Sequence, residues 1–209
     1  HPFDGDGMLH SAHFENGRLV VRNKWVRTDA WQREDTTQAA AYWGTRQTLK
    51  GREDQPIRDS ANTDVIGHAG AALTTWYLAG VPYAVDPITL ETLGPRYNYL
   101  DKPESGMSAH CKVDEVTGEL MYFDYGDHWP YMWYGVADAQ GEITHRVPIE
   151  LPGNRLPHDM AITEHYSILH DHPVFHDEEA RAAGRHKIVF DSTMASRLGV
   201  IPRKGDAES

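Results

Sequence analysis

The sequence predicts an all-β protein of antiparallel hairpins with one short helical excursion. Three observations predict it. Apolar residues come in short runs rather than at helical spacing. Turn residues punctuate those runs. One device also recurs: "FENGRL", "VDPITLET", "VDEVTGEL" and "ADAQGEI" each pair an acidic residue with a turn and then a new strand. From "VDPITLET" onward these hairpins come roughly every 25 residues, so four strands occupy roughly 50, the size of one propeller blade. No strict repeat such as a Trp-Asp dipeptide accompanies that spacing, and a sandwich or barrel fits nearly as well.

The elements follow in order. "LHSAHF" and "RLVVRNKWV" flank Asn16-Gly17, a strong hairpin signal. Residues 28–44, "TDAWQREDTTQAAAYWG", are polar and helix-compatible, with Asp29 as the expected N-cap. "TLKGREDQPIRDSAN" reads as a loop. Strands resume at "TDVIGHAG", "AALTTWYLAG" and "VPYAVDPITLETLG". "SAHCKVD" and "ELMYFDYG" form the next pair, then "YMWYGVAD" and "EITHRVPIEL". "HDMAITEHYSILHD" predicts a strand pair bent at "TEHY", and "HDEEARAAG" has helix-forming composition.

Composition excludes several classes. The chain has 31 acidic and 20 basic residues, a formal charge of −11, and no basic stripe, which argues against a nucleic-acid partner. Cys111 is the single cysteine, so no intrachain disulfide or multi-cysteine zinc motif exists, and a reducing, cytoplasmic setting is expected. No apolar run approaches the ~20 residues of a membrane span, and "HPFDGDGM" is no signal peptide. The first residue is not Met and both ends read as cut. Residues 1–209 are therefore expected to be one partial domain, incomplete at both ends.

Thirteen histidines raise the question of which carry chemistry. A single histidine is by default a surface or satisfied core residue, and metal or acid–base work needs several groups to converge. There is no H-E-x-x-H. His170 and His172 would share a face of a strand, but Asp171 and Pro173 mark the end of that strand. His110 in "GMSAHCKVD" and His158 in "NRLPHDMAIT" differ from the rest. Each stands at a strand start after a loop, and they are 48 residues apart, close to one blade. On neighbouring blades both would point at the central axis.

Several stretches resemble the carotenoid cleavage oxygenase family, which includes the lignostilbene dioxygenases and the isomerase of the retinal pigment epithelium. They are "FDGDGMLHSAHFENGRLVVRNKWVRT", "ANTDVIGHAG", "GVPYAVDPITLETLG", "SAHCKVDEVTGELMYFDYG", "LPHDMAITEHYSIL" and "RLGVIPRKG", in family order from residue 3 to about 205. The resemblance implies part of a seven-bladed β-propeller with a helical cap. It also implies a ferrous ion, Fe(2+), held on the axis by four histidines, leaving room for dioxygen. Such a site cleaves a conjugated carbon–carbon double bond of an apolar small molecule into two carbonyls, with no catalytic residue apart from the metal centre. His110 and His158 match the first two ligands. The other two lie further along in family members, and His165 to His186 do not fit their motifs, so the isolated chain is expected to be inactive.

Departures from the family matter as well. Tyr77 stands where a glutamate usually orients a ligating histidine, and a phenol can accept that bond without supplying charge. Cys111 follows His110 where Pro is common; on a strand it faces the other way, as a small buried residue. Thr63 matches a threonine near the vacant iron position, or else makes a local backbone hydrogen bond. Asp159 is expected to satisfy backbone groups, and the aromatic run at 128–135 to fill the core or line a tunnel. Lignostilbene relatives tend to carry a phenol-binding lysine near the position of Trp76, which tilts the reading toward isoprenoid substrates. A stilbene-cleaving dioxygenase, a retinoid isomerohydrolase and a non-catalytic propeller are the alternatives, with peripheral membrane contact an option for each.

Overall fold

The computed structural model describes residues 2–45, 47, 56–103, 105–183, 185, 187–206 and 208, and the side chains of Pro2 and Arg181 stay outside that description. Most of the expected loop at 48–62 lies outside the described residues. The chain opens with a hairpin of β1 (Met8–Glu15) and β2 (Arg18–Trp25). Asn16 and Gly17 turn it with φ of 49° and 73°, the left-handed pair that a two-residue hairpin loop needs. Helix α1 (Asp29–Thr37) follows and is shorter than the composition suggested. Its N-cap is Thr28 rather than Asp29: the Thr28 hydroxyl accepts from the Trp31 amide at 3.1 Å. The Asp29 amide instead donates to the Tyr83 hydroxyl at 3.0 Å, which docks the helix start on the next sheet.

Two four-stranded antiparallel meanders form the centre. The first is β3 (Asp64–His68), β4 (Ala71–Thr75), β5 (Tyr83–Val85) and β6 (Thr92–Pro95). The second is β7 (Lys112–Val113), β8 (Leu120–Tyr125), β9 (Tyr131–Ala137) and β10 (Ile143–Glu150). A third sheet joins β11 (Ala161–Ile162) to β12 (Tyr166–Asp171), and β12 to β15 (Arg197–Pro202). Between β12 and β15 lie the hairpin β13 (Val174–His176) and β14 (Ile188–Phe190) and the short helix α2 (Glu178–Ala182). The acidic turn residues fold the hairpins as the sequence suggested. Asp86 accepts from the amides of Ile88 and Thr89, Asp114 from Val116 and Thr117, and Asp138 from Gln140 and Glu142.

The packing explains why "LMYF" is an unbroken apolar run. Leu120, Met121, Tyr122 and Phe123 on β8 are all fully buried. Side chains alternate along a strand. Leu120 and Tyr122 join Leu73, Ala84 and Cys111 between the first two sheets. Met121 and Phe123 join Met160, Leu169 and Ile201 against the third. A sheet covered on both faces has no polar side to show, the layering expected of an interior blade. His68 adds a polar tie across the first interface. Its Nε2 donates to the Gly118 carbonyl at 2.8 Å, so its Nδ1 accepts from the Tyr99 hydroxyl at 2.7 Å.

Candidate metal centre and apolar cleft

The segment before β7 threads between the two meanders. Met107 donates to the Gly80 carbonyl, Ser108 to Phe123 and Ala109 to Trp76, at 2.9 to 3.1 Å. Gly106 lies so close to the Ala79 carbonyl that a Cβ would stand 2.1 Å from its oxygen. His110 ends this segment with φ 64°, a left-handed conformation that costs a non-glycine residue energy and clusters at functional sites. The next residue, Cys111, turns into the core, where its thiol donates to the Ser108 carbonyl. Buried among Leu73, Leu120 and Tyr122 it is a packing residue, and that burial pushes its thiol up to about 12.

His110 and His158 meet. Their ring centroids are 4.8 Å apart and the planes cross at 64°. His158 is reached through the loop before β11, and its ring is exposed. The blade-length spacing thus brings together the two histidines singled out in the sequence. Among the described residues no group of three or more His, Cys, Asp or Glu side chains forms a metal cluster.

Two residues that the sequence did not flag, Asp64 and Lys112, shape this pair. Asp64, at the start of β3, accepts from His110 Nδ1 at 3.0 Å, and its other oxygen accepts from the Val65 amide at 2.8 Å. A proton held on Nδ1 leaves the Nε2 lone pair for a metal. Lys112 Nζ donates to the His110 carbonyl at 2.9 Å and to Asp159 Oδ1 at 2.6 Å. Partial burial opposes ionisation of Asp159, but Lys112 and the Met160 amide outweigh it and hold the carboxyl below its usual range. His170 Nε2 accepts from the Asp159 amide at 2.9 Å. Burial, then the neighbouring His172, holds the His170 imidazole below its usual range, consistent with a neutral acceptor. The His170 and His172 rings lie 4.2 Å apart. A hint was available for Asp64: Asn62, His110 and His158 stand 48 apart, and Asp64 is two residues beyond the first.

A cleft of about 670 Å³ opens beside His158, with mostly apolar walls that include Phe3, Trp43, Trp76, Tyr77 and Leu156. Thr63 and His176 also line it. The Thr63 hydroxyl accepts from the Tyr77 amide at 3.1 Å and donates to Asn62 Oδ1 at 3.1 Å, the local bonding weighed as one of its two readings. The Tyr77 ring leans on Trp76 at 5.7 Å and Phe3 at 6.2 Å. The aromatic run at 128–135 is not part of the cleft. Met132 and Tyr134 are core, and Trp133 lies under the Arg146 guanidinium at 4.3 Å.

Two imidazoles can contribute to a site for a first-row transition metal, and the bond to Asp64 leaves the His110 Nε2 lone pair available. The family model described as RPE65, retinal pigment epithelial membrane protein, matches residues 1–209. The chain belongs to that family. It is 33% identical to an isoeugenol monooxygenase of Pseudomonas nitroreducens, covering 97% of this chain and 43% of the relative. It is 32% identical to a carotenoid 9,10(9',10')-cleavage dioxygenase of Crocus sativus, covering all of this chain and 42% of the relative. The structure aligns with a lignostilbene dioxygenase of Pseudomonas brassicacearum at a TM-score of 0.84 and 28% identity, covering 99% and 44% of the two chains. Cobalt-substituted apocarotenoid oxygenase of Synechocystis aligns at 0.81 and 25%, covering 98% and 47%. The fold is thus part of a carotenoid-oxygenase propeller, and the chain spans less than half the length of these relatives. Among the described residues no helix is long and apolar enough to cross a membrane.

Proposed function

We propose that the protein is a non-haem iron(II) dioxygenase that cleaves a conjugated carbon–carbon double bond of a carotenoid or apocarotenoid into two carbonyl products. The observation that carries this reading is the meeting of His110 and His158 beside an apolar, aromatic-walled cleft. The relatives named as oxygenases support it. Ferrous iron, when bound, supplies the activation of dioxygen. The chain's own residues hold and orient. His110 and His158 contribute two of the four imidazoles the family uses. Asp64 keeps the His110 proton on Nδ1. Phe3 and Tyr77 offer aromatic surface to a conjugated substrate, with Thr63 and Tyr77 as candidates to shape the oxygen side of the site. The protein works in the cytoplasm, with peripheral membrane contact as the route to an apolar substrate.

A second reading, cleavage of a stilbene or phenylpropenoid, is favoured by the likeness to isoeugenol monooxygenase and to lignostilbene dioxygenase. Because this chain supplies two of the four imidazoles and is expected to be inactive alone, the test uses iron-loaded protein that carries all four, incubated aerobically with an apocarotenal and, separately, a hydroxystilbene. Oxygen uptake with aldehydes from the apocarotenal is expected. Aldehydes from the stilbene alone select the second reading, and bound iron without carbonyl products from either substrate rejects both.

A further inference from the structure

The two histidine-bearing segments belong to different sheets, and nothing covalent nearby fixes their separation. One side chain spans them. Lys112 Nζ reaches back to the carbonyl of His110 at 2.9 Å and across to the carboxylate of Asp159 at 2.6 Å. The left-handed backbone at His110 accompanies the first contact, in which the carbonyl meets the ammonium two residues on. Asp159 is gripped from two more directions. The Met160 amide donates to the same carboxylate oxygen at 2.7 Å, and the Asp159 amide donates to His170 Nε2 at 2.9 Å. His158 is the residue immediately before this fixed point.

We propose that Lys112 is a positioning residue whose bridge between the His110 carbonyl and the Asp159 carboxylate sets the separation of the two imidazoles for a metal ion. An exposed ion pair contributes little by itself, because water and lost side-chain freedom offset the attraction. This ammonium differs in joining two acceptors on segments 47 residues apart, each next to or part of a ligand position. Tightening a ligand pair before the ion arrives removes an ordering cost from binding, which is how groups outside the ligand set tune affinity.

The inference rests on the metal-centre reading, and the experiment keeps the two apart. Cobalt(II) is titrated into the full chain and followed by its visible absorption, for wild type, H110A, H158A, K112M, K112R, D159N and K112M/D159N. Thermal unfolding is recorded for each. Wild type is expected to bind, and H110A and H158A to lose binding. K112M should bind about ten-fold or more weakly and D159N, which keeps an acceptor oxygen but loses the charge, should lie between it and wild type, with unfolding temperatures close to wild type, while K112R retains most of the affinity. The double variant should be no weaker than K112M, because both changes act on the same bridge. Wild-type affinity in K112M and D159N, with H110A and H158A impaired, overturns the bridge and leaves the metal centre standing. Fully additive losses in the double variant overturn it too. Failure of wild type to bind, or binding indifferent to both histidines, overturns the metal-centre reading itself.

Discussion

Asp64 shows how a single residue can change the state of a site without joining it. Its carboxylate is fixed by the Val65 amide and receives the His110 Nδ1 proton, so the imidazole is held in one tautomer and one orientation. Replacement by Ala should leave the fold almost untouched, since the pair is partly solvated. It should weaken cobalt(II) or iron(II) binding by about 10- to 100-fold, the usual range for a lost carboxylate–imidazole contact. D64N, which keeps an acceptor oxygen, should lie between. Metal titration of the three proteins at matched unfolding temperature checks this, and equal affinities would remove Asp64 from the site. Tyr77, where the family resemblance drew attention to the missing glutamate, lines the cleft, and the carboxylate partner of His110 comes from β3 instead.

At the scale of elements, strand β8 joins three sheets into one body. Its alternate side chains serve two separate interfaces, Leu120 and Tyr122 on one side and Met121 and Phe123 on the other. Leu120→Ala should cost about 2–5 kcal/mol, because neither neighbouring sheet can collapse into the space left behind. Denaturant titration reads this as a lower midpoint at unchanged slope; a loss under 1 kcal/mol would mean the interface is looser than its burial indicates. Much at this scale was legible in the sequence. Asn16-Gly17 and the aspartates at 86, 114 and 138 announce hairpins because turn chemistry is local. Helix α1 lies within the polar 28–44 stretch but ends at Thr37, and Thr28 caps it while the Asp29 amide bonds to Tyr83, 54 residues away.

At the scale of the whole molecule, what remained hidden was whatever depends on distant partners. His110 and His158 were found because a repeat length brings them together. Asp64 and the Lys112–Asp159 bridge were not: their partners lie 46 and 47 residues away, and apart from the 48-residue spacing that puts Asn62 two residues before Asp64 no pattern marks them. Global stability has a similar long-range element. Asp59 accepts from the amides of Ala61 and Val81, at 3.1 and 2.9 Å, and packs against Gly80, where a Cβ would come within 2.1 Å of its Oδ2. Burial raises its carboxyl from 3.8 to about 6, with those two amides pulling the other way. The folded chain therefore holds this proton more tightly than the unfolded one. Its contribution is fully present below the unfolded value of 3.8 and is lost as pH rises through about 6, up to about 3 kcal/mol. Urea midpoints between pH 4 and 7.5 should fall less steeply in D59N than in wild type. Parallel profiles would show that Asp59 titrates normally.

The 48-residue interval between His110 and His158 also has a meaning in time. At ~5–20 residues per second of synthesis, the second imidazole is made roughly 2 to 10 seconds after the first. During that interval His110 can already be clasped by Asp64, made earlier still, while its eventual neighbour does not exist. An ion binding then finds one ring and no partner, so stable capture has to wait until the third sheet docks on the second. On the proposed reading, which calls for two further imidazoles besides this pair, a metal would be captured late, on an assembly already folded, and not as a seed for the nascent chain.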